Sequence, residues 1–266
     1  IKLTLQEVIK IKTIIDGLSI NYIKRGSGKV VLILPGWGTT INTYMPLINN
    51  LSTYSTVYSL DMPGFGYSQE PDVSWNVDNY VDFVIKFIKK FNITELDLIG
   101  HSNGGRIIIK LLNQKDLDIK INKIILIGSA GIVHQKSSKL SFKVRLFKFC
   151  KKFAQLKPIE KVFPNLLDKV KNHFGSEDYR NSTPIMRETM VRLINEDLTN
   201  LLPNIKLPTL LIWGENDTAT PIEDAKLMND LIPNSKLIKL ENCSHYVFLE
   251  KLDYVGQVIK DFLSRR

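Results

Sequence analysis

Short apolar runs alternate along this chain with segments of helical periodicity, and this alternation restricts the fold more than any other feature of the sequence. Strands are predicted at 8–15, 18–24, 30–34, 56–60, 96–99, 123–127, 209–213 and 236–240, and helices at 77–91, 106–112, 222–232 and 247–263. Asp16-Gly17 predicts a hairpin between the first two strands. The later strands are separated by helices, which favours parallel pairing. The pattern therefore predicts an α/β fold, with a mostly parallel sheet covered by helices on both faces.

The segment 132–199 departs from this alternation, because it contains only helical patterns. It carries 14 Lys/Arg against 7 Asp/Glu, and so provides most of the formal net charge of +9. Within 142–156, large apolar residues recur at a spacing of three to four, with lysines between them. We therefore predict a core formed by 1–131 and 200–266, and a helical cap (lid) formed by 132–199.

The strongest local motif is Gly-His-Ser-Asn-Gly-Gly at 100–105, which lies between a predicted strand and a predicted helix. A strand-turn-helix of this kind, a nucleophile elbow, presents its serine at the carboxyl edge of the sheet. Gly100 and Gly104 avoid side-chain collisions in so tight a turn. Ser102 is therefore the candidate nucleophile, although Gly-x-Ser-x-Gly without such flanks is also found in ordinary turns.

A serine hydroxyl needs a base to become a strong nucleophile. Of the four histidines, His245 follows the last predicted strand and opens at the same edge as the elbow, so it is the candidate base. His101 is predicted to face the core. His134 and His173 lie in the predicted cap and are more simply explained as packing or surface residues.

An acid must orient this base, and it is expected after an intervening strand. Asp217 follows the predicted strand 209–213 and is the candidate, although an Asp in a loop is also common in turns. Glu215 is the competitor, but Asp217 lies farther beyond the strand. The expected order along the chain is therefore Ser102, Asp217, His245.

The developing oxyanion also requires hydrogen-bond donors. The backbone N–H of Asn103 is one candidate, since it follows the nucleophile at the start of a helix. Pro35-Gly36-Trp37-Gly38 ends an earlier strand, and the N–H of Trp37 is the second candidate. The same four residues could also form a simple turn.

Together these motifs resemble those of the α/β-hydrolase family over nearly the whole chain. The segment 61–68 is similar to the loop that the family carries after an early strand, and Asp61 is interpreted as structural there. The resemblance implies an eight-stranded, mostly parallel sheet with a variable helical cap after the sixth strand. The family usually has His-Gly where this chain has Pro35-Gly36, a departure that affects the orientation of the loop rather than its backbone donor.

The elbow residues distinguish among reactions that the resemblance allows. Family members that are epoxide hydrolases or haloalkane dehalogenases use Asp where this chain has Ser102. Carbon–carbon bond hydrolases usually have Asn where His101 stands, and proline-releasing peptidases tend to have Trp where Asn103 stands. The resemblance therefore implies a serine esterase, lipase-like in type, that forms an acyl-enzyme. Two alternatives stay open: a carbon–carbon bond hydrolase of vinylogous diketones, and a non-catalytic receptor for a small ligand.

No metal or organic cofactor is expected, because no Cys/His cluster has metal-ligand spacing. The expected partner is a small-molecule ester, and nucleic acid is not expected, since no basic-aromatic platform motif is present. The basic cap is either a solvated outer face or a surface for weak association with anionic membranes. Only two cysteines, and a start without a long apolar core, favour a cytoplasmic location.

Overall fold

The computed structural model describes residues 11–115, 117–133 and 177–265, and within these ranges eight strands form one sheet. The strands are β1 (Ile11–Ile15), β2 (Leu18–Arg25), β3 (Val30–Leu34), β4 (Thr56–Leu60), β5 (Glu95–His101), β6 (Lys120–Ile127), β7 (Thr209–Gly214) and β8 (Ser235–Leu240). Their spatial order is β1-β2-β4-β3-β5-β6-β7-β8. β2 pairs antiparallel with β1 and β4, and all other neighbours are parallel. The predicted fold class is confirmed.

Helices cover both faces of this sheet. They are α1 (Ile41–Leu51), α2 (Val77–Lys90), α3 (Asn103–Leu111), α4 (Glu177–Asn181), α5 (Pro184–Ile194), α6 (Ile222–Leu231), α7 (Val247–Glu250) and α8 (Leu252–Ser264), with a 3-10 helix at Thr199–Asn204. Buried side chains of α2, α3 and α6 share one apolar cluster with the sheet. Those of α1, α7 and α8 share the cluster on the opposite face. The result is a three-layer arrangement with the sheet in the middle.

The central strands are apolar throughout because both of their faces are covered. In β3, Leu32 and Leu34 point into one cluster while Val31 and Ile33 point into the other, and all four are completely buried. Burial of such a side chain stabilises the fold by about 1.5–3 kcal/mol. The sheet is thus a rigid support for the loops at the carboxyl ends of its parallel strands.

Helix α1 is not anticipated by the sequence pattern. It contains Pro46, and the side chain of Thr40 at its N-cap makes no capping hydrogen bond. Its first N–H, that of Ile41, instead donates to Asp61 Oδ1 at 2.7 Å, from the end of β4. A cap supplied from 20 residues away leaves no local signal for the start of the helix.

The prediction of one C-terminal helix at 247–263 was wrong. The structure has two, α7 and α8, separated at Lys251, whose φ of −134° and ψ of 47° are not helical. Both helices contact α1, and α7 also contacts β7, so each takes a direction set by packing. No Gly or Pro marks the break, and the apolar periodicity therefore ran across it.

The described part of the predicted cap comprises 132–133 and 177–199. Where this insertion meets the core, the N–H of Leu198 donates to Gly131 O at 2.8 Å, so the chain leaves and rejoins the core at adjacent points. The domain limits stay a prediction. The basic pattern at 142–156, His134, His173 and Cys150 lie outside the described residues, as do 8–10 of the first predicted strand. In the ranges described, no helix combines the length and the apolar character that a membrane span requires.

Candidate active site

Ser102 lies in the turn between β5 and α3, in a backbone conformation that side-chain-bearing residues rarely adopt. Its φ is 51° and its ψ is −115°. Such conformations cost about 1–3 kcal/mol and persist only where the surroundings hold them. Here the N–H of Ser102 donates to Ile127 O at 3.0 Å, and its carbonyl accepts from Ala130 N–H at 2.9 Å. The end of β6 therefore holds the turn, with the half-buried serine at the carboxyl edge of the sheet.

The two glycines that flank this turn are packed too closely for any side chain. A β-carbon on Gly100 would lie 2.6 Å from the backbone nitrogen of Gly105, and one on Gly104 would lie 2.0 Å from Leu34 O. The expected reason for glycine was a collision between side chains within the turn. The structure instead shows a collision with backbone, that of α3 for Gly100 and that of β3 for Gly104.

Asp217 and His245 are in direct contact, in the loops that follow β7 and β8. His245 Nδ1 lies 2.7 Å from Asp217 Oδ2. The Asp217 side chain is completely buried, and that of His245 is 15% exposed. Because a carboxylate only accepts, Nδ1 carries the proton and Nε2 is left as the free basic nitrogen. Glu215, the competing acid, is exposed.

Thr220 and its neighbour hold the Asp217 carboxylate in place. The N–H groups of Ala219 and Thr220 donate to Asp217 Oδ1 at 2.8 and 2.9 Å, and the Thr220 hydroxyl donates to Oδ2 at 2.9 Å. Burial opposes ionisation of this carboxyl, but the hydrogen bonds from His245 and Thr220 outweigh it and lower the pKa of Asp217. Asp217 is therefore ionised at neutral pH. The Ala219 N–H, two residues after Asp217, makes the hydrogen bond of an Asx turn, and an Asp in a loop is the local signal for such a turn.

The short segment 128–130 lies against each of the three candidate residues. A β-carbon on Gly128 would lie 3.1 Å from His245 Nδ1 and 3.2 Å from Asp217 Oδ2. Two residues further on, Ala130 is bonded to the backbone of Ser102. Among the described side chains, the Ser102 hydroxyl makes no hydrogen bond to the His245 ring. In enzymes without bound substrate, hydrogen bonds of this kind are often long and tighten only in the complex.

His101, the residue before the serine, is buried beneath the site, as expected from the prediction that it faces the core. It is 1% exposed, and its ring centroid lies 4.6 Å from that of His245. Its Nε2 lies 3.0 Å from the carbonyl oxygen of His245, and its Nδ1 lies 2.8 Å from the hydroxyl of Tyr44. Burial and the neighbouring His245 lower the pKa of His101 to about 3, so this ring is neutral at physiological pH.

The loop that contains Trp37 runs directly past the serine. A β-carbon on Gly36 would lie 3.2 Å from Ser102 Cβ, a tight contact that a glycine at this position avoids. Gly38 has a φ of +72° and supplies the turn on the other side of Trp37. The indole of Trp37 packs edge-on against Phe65 at 4.7 Å between ring centroids. The loop thus brings the backbone of Trp37 close to the elbow.

Asn103, the other candidate donor, is the first residue of α3. N–H groups in the first turn of a helix have no acceptor within the helix, and they lie at the positive end of its dipole. The geometry therefore leaves a backbone donor beside Ser102. Together with the Trp37 loop, it forms a corner in which a carbonyl oxygen attacked by Ser102 would gain negative charge.

Comparison with known proteins places this geometry in a family context. A family model described as "alpha/beta hydrolase fold" matches residues 29–252. The uncharacterized hydrolase YugF of Bacillus subtilis (strain 168) is 26% identical, over 94% of this chain and 96% of its own length. A 2-hydroxy-6-oxo-6-(2'-aminophenyl)hexa-2,4-dienoic acid hydrolase of Metapseudomonas resinovorans is 24% identical, over 94% of this chain and 89% of its own.

A solved structure with a similar fold is an esterase from Exiguobacterium antarcticum. It superposes with a TM-score of 0.73 at 23% identity and covers 94% of this chain and 97% of its own. At this identity the similarity shows the fold alone. Proteins similar to this chain thus carry names of both ester and dienoic acid hydrolases.

Proposed function

The chain belongs to the α/β-hydrolase fold family, and on this basis we propose that it is a serine hydrolase that cleaves carboxylic esters of small or acyl-chain substrates. The observation that carries the proposal is the placement of Ser102 at a strained elbow, with the Asp217–His245 pair against the same segment 128–130. Each of these groups follows a different strand, and all three gather around one segment at the carboxyl edge of the sheet.

In the proposed first step, His245 Nε2 accepts the proton of Ser102 as its oxygen attacks the ester carbonyl. The resulting oxyanion accepts hydrogen bonds from the N–H groups of Trp37 and Asn103, each of which is worth about 10²–10³ in rate in such sites. Asp217 stabilises the imidazolium through Nδ1. His245 then gives its proton to the leaving alcohol, and an acyl-serine remains.

The second half of the reaction uses the same groups on water. His245 Nε2 accepts a proton from a water molecule, whose oxygen attacks the acyl carbonyl in the same corner. The acyl–serine bond breaks, the Ser102 oxygen recovers its proton from His245, and the carboxylic acid leaves. Throughout, the neutral His101 adds no positive charge beside the imidazolium.

A second candidate is the hydrolysis of a carbon–carbon bond in a vinylogous diketone. The dienoic acid hydrolase, similar over nearly the whole chain, is the observation that favours it. The presence of His101 before the serine weighs against it. The same nucleophile would serve both reactions, so the substrate separates them.

The test uses purified protein, a fluorophosphonate probe and a panel of p-nitrophenyl esters with acyl chains of two to twelve carbons. Fluorophosphonates react with activated serines, so we expect one label per chain, on Ser102, and turnover of at least one ester. Ser102→Ala should remove labelling and lower kcat by at least about 10³. Ser264→Ala, which changes an exposed serine on α8, is the matched control and should keep both the labelling of Ser102 and the wild-type kcat.

Three results would contradict the proposal in different ways. Labelling without hydrolysis of any ester, together with hydrolysis of a dienoate, would favour the carbon–carbon bond reaction. Tight binding of a small ligand without labelling or turnover would favour a receptor. Unchanged hydrolysis by Ser102→Ala would remove the serine from the mechanism altogether.

A further inference from the structure

A continuous chain of hydrogen bonds, buried except at its partly buried last link to His245, joins the two loops on which the proposed mechanism depends. It begins at the Gly36 N–H, beside Trp37, and passes through the hydroxyl of Tyr44 at 2.8 Å. From Tyr44 it continues to His101 Nδ1 at 2.8 Å, and from His101 Nε2 to the carbonyl oxygen of His245 at 3.0 Å. One end thus lies in the proposed oxyanion loop and the other at the proposed base.

The direction of each hydrogen bond follows from its chemistry. A carbonyl oxygen only accepts, so Nε2 of the neutral His101 carries the ring's single proton and donates to His245 O. Nδ1 is then an acceptor, and the Tyr44 hydroxyl must donate to it. Burial holds the pKa of Tyr44 far above its usual value, so this proton stays on the phenol. The Tyr44 oxygen is left free to accept from Gly36 N–H.

The surroundings offer these groups few other partners; outside the chain of hydrogen bonds, the Thr39 hydroxyl lies 3.0 Å from that of Tyr44. Tyr44 and His101 are each 1% exposed, so water does not substitute for a lost hydrogen bond without a rearrangement. The Tyr44 ring stacks on Phe248 of α7 at 5.0 Å between centroids. The Thr39 hydroxyl also donates to Gly36 O at 2.8 Å, which closes the turn that contains Trp37.

We propose that Tyr44 and His101 are positioning residues, which hold the Trp37 loop and the His245 loop in mutual register for the reaction at Ser102. The inference rests on the proposed function, because it assigns a task only if these loops act together. Misplacement of a catalytic group by about 1 Å can cost about 10² in rate. Loss of the hydrogen bonds should therefore slow the chemical step more than it weakens substrate binding.

Tyr44→Phe tests this, with Tyr80→Phe as the matched control. Tyr80 is also 1% exposed, but its hydroxyl donates to Pro63 O at 3.2 Å, outside the chain of hydrogen bonds. On the best p-nitrophenyl ester, we expect Tyr44→Phe to lower kcat and the rate of fluorophosphonate labelling by about tenfold, with KM within twofold. Tyr80→Phe should keep kcat within twofold of wild type, even if it lowers the thermal midpoint by as much as Tyr44→Phe does.

A second pair of variants keeps the test independent of folding defects in Tyr44→Phe. A glutamine amide offers both an acceptor and a donor, so His101→Gln should retain more of kcat than His101→Leu, which offers neither. Equal kcat for Tyr44→Phe and Tyr80→Phe, or for the two His101 variants, overturns the inference while the proposed function stands. A wild-type protein that neither hydrolyses esters nor reacts with the probe overturns the proposed function, and this inference with it.

Discussion

Thr220, which no motif singled out, contacts both members of the proposed acid–base pair. Its backbone N–H and its hydroxyl both donate to Asp217. The hydroxyl oxygen of Thr220 also lies 3.0 Å from Gly128 O and 3.5 Å from His245 Nδ1. These contacts orient a carboxylate that would otherwise rotate in its buried site. Thr220 thus connects the loop after β7 with the segment after β6.

Thr220→Val should weaken both the orientation and the stability of Asp217. We expect kcat to fall about tenfold, because Asp217 Oδ2 loses one of its two donors and keeps only His245, and the free energy of unfolding to fall by about 1–3 kcal/mol at pH 7. Steady-state kinetics and urea denaturation measure the two effects. Thr209→Val, which removes a buried hydroxyl bonded to Leu207 O, is the matched control and should affect stability alone.

The pH dependence of this stability difference has a definite sign. The folded-state pKa of Asp217 lies below its unfolded value, so the ionised carboxylate stabilises the fold above the unfolded pKa of about 4. That stabilisation is lost as the pH falls through the lower, folded-state pKa. The difference between wild type and Thr220→Val should therefore be constant from pH 7 to 5 and shrink below pH 4. A difference that grew on acidification would contradict this assignment.

At the scale of secondary structure, α4 brings an acidic side chain from the predicted cap to the proposed site. A β-carbon on Gly38, next to Trp37, would lie 3.8 Å from Asp178 Oδ1. Burial raises the pKa of Tyr246, and the negative charge of Asp178 raises it further. We therefore expect negative charge at this point to disfavour substrates that carry a carboxylate near the scissile bond.

We predict that the protein discriminates against anionic acyl groups through Asp178. A p-nitrophenyl half-ester of succinate should be cleaved with a kcat/KM about three- to tenfold below that of the butyrate ester at low salt. Asp178→Asn should reduce the ratio of kcat/KM for the butyrate ester to kcat/KM for the succinate half-ester. Asp230→Asn, which changes an exposed aspartate on α6, should leave this ratio unchanged. Added salt should reduce it too, because exposed charges are screened. A ratio unaffected by Asp178→Asn would remove α4 from substrate selection.

At the scale of the whole molecule, Asp61 ties together three parts of the fold. Its Oδ1 accepts from Ile41 N–H at the start of α1, and its Oδ2 accepts from Asn21 Nδ2 of β2 at 2.8 Å and from Tyr67 N–H at 2.9 Å. Asp61 itself is 1% exposed. Gly66 lies against it so closely that a β-carbon there would be 2.3 Å from Oδ2. The structural interpretation of Asp61 agrees with these contacts.

Asp61→Asn should therefore destabilise the protein without altering its chemistry. The new amide nitrogen would face one of the N–H groups that Asp61 now accepts from, which leaves buried donors unpaired at a cost of about 1–3 kcal/mol each. Urea denaturation should show a lower midpoint with an unchanged slope, and kcat per folded molecule should hold within twofold at low temperature. Asp72→Asn, at an exposed position in the following loop, should leave the midpoint unchanged.

Local pattern in the sequence was enough to place all eight strands and to order Ser102, Asp217 and His245 along the chain, because apolar runs and glycine turns reflect forces between near neighbours. The tertiary structure alone decided four other features: the start of α1, the break at Lys251, the contacts of Thr220 and the hydrogen bonds of His101. Each depends on a partner brought close by the folded sheet or on packing against another element, and neither leaves a trace in the periodicity of the residues concerned.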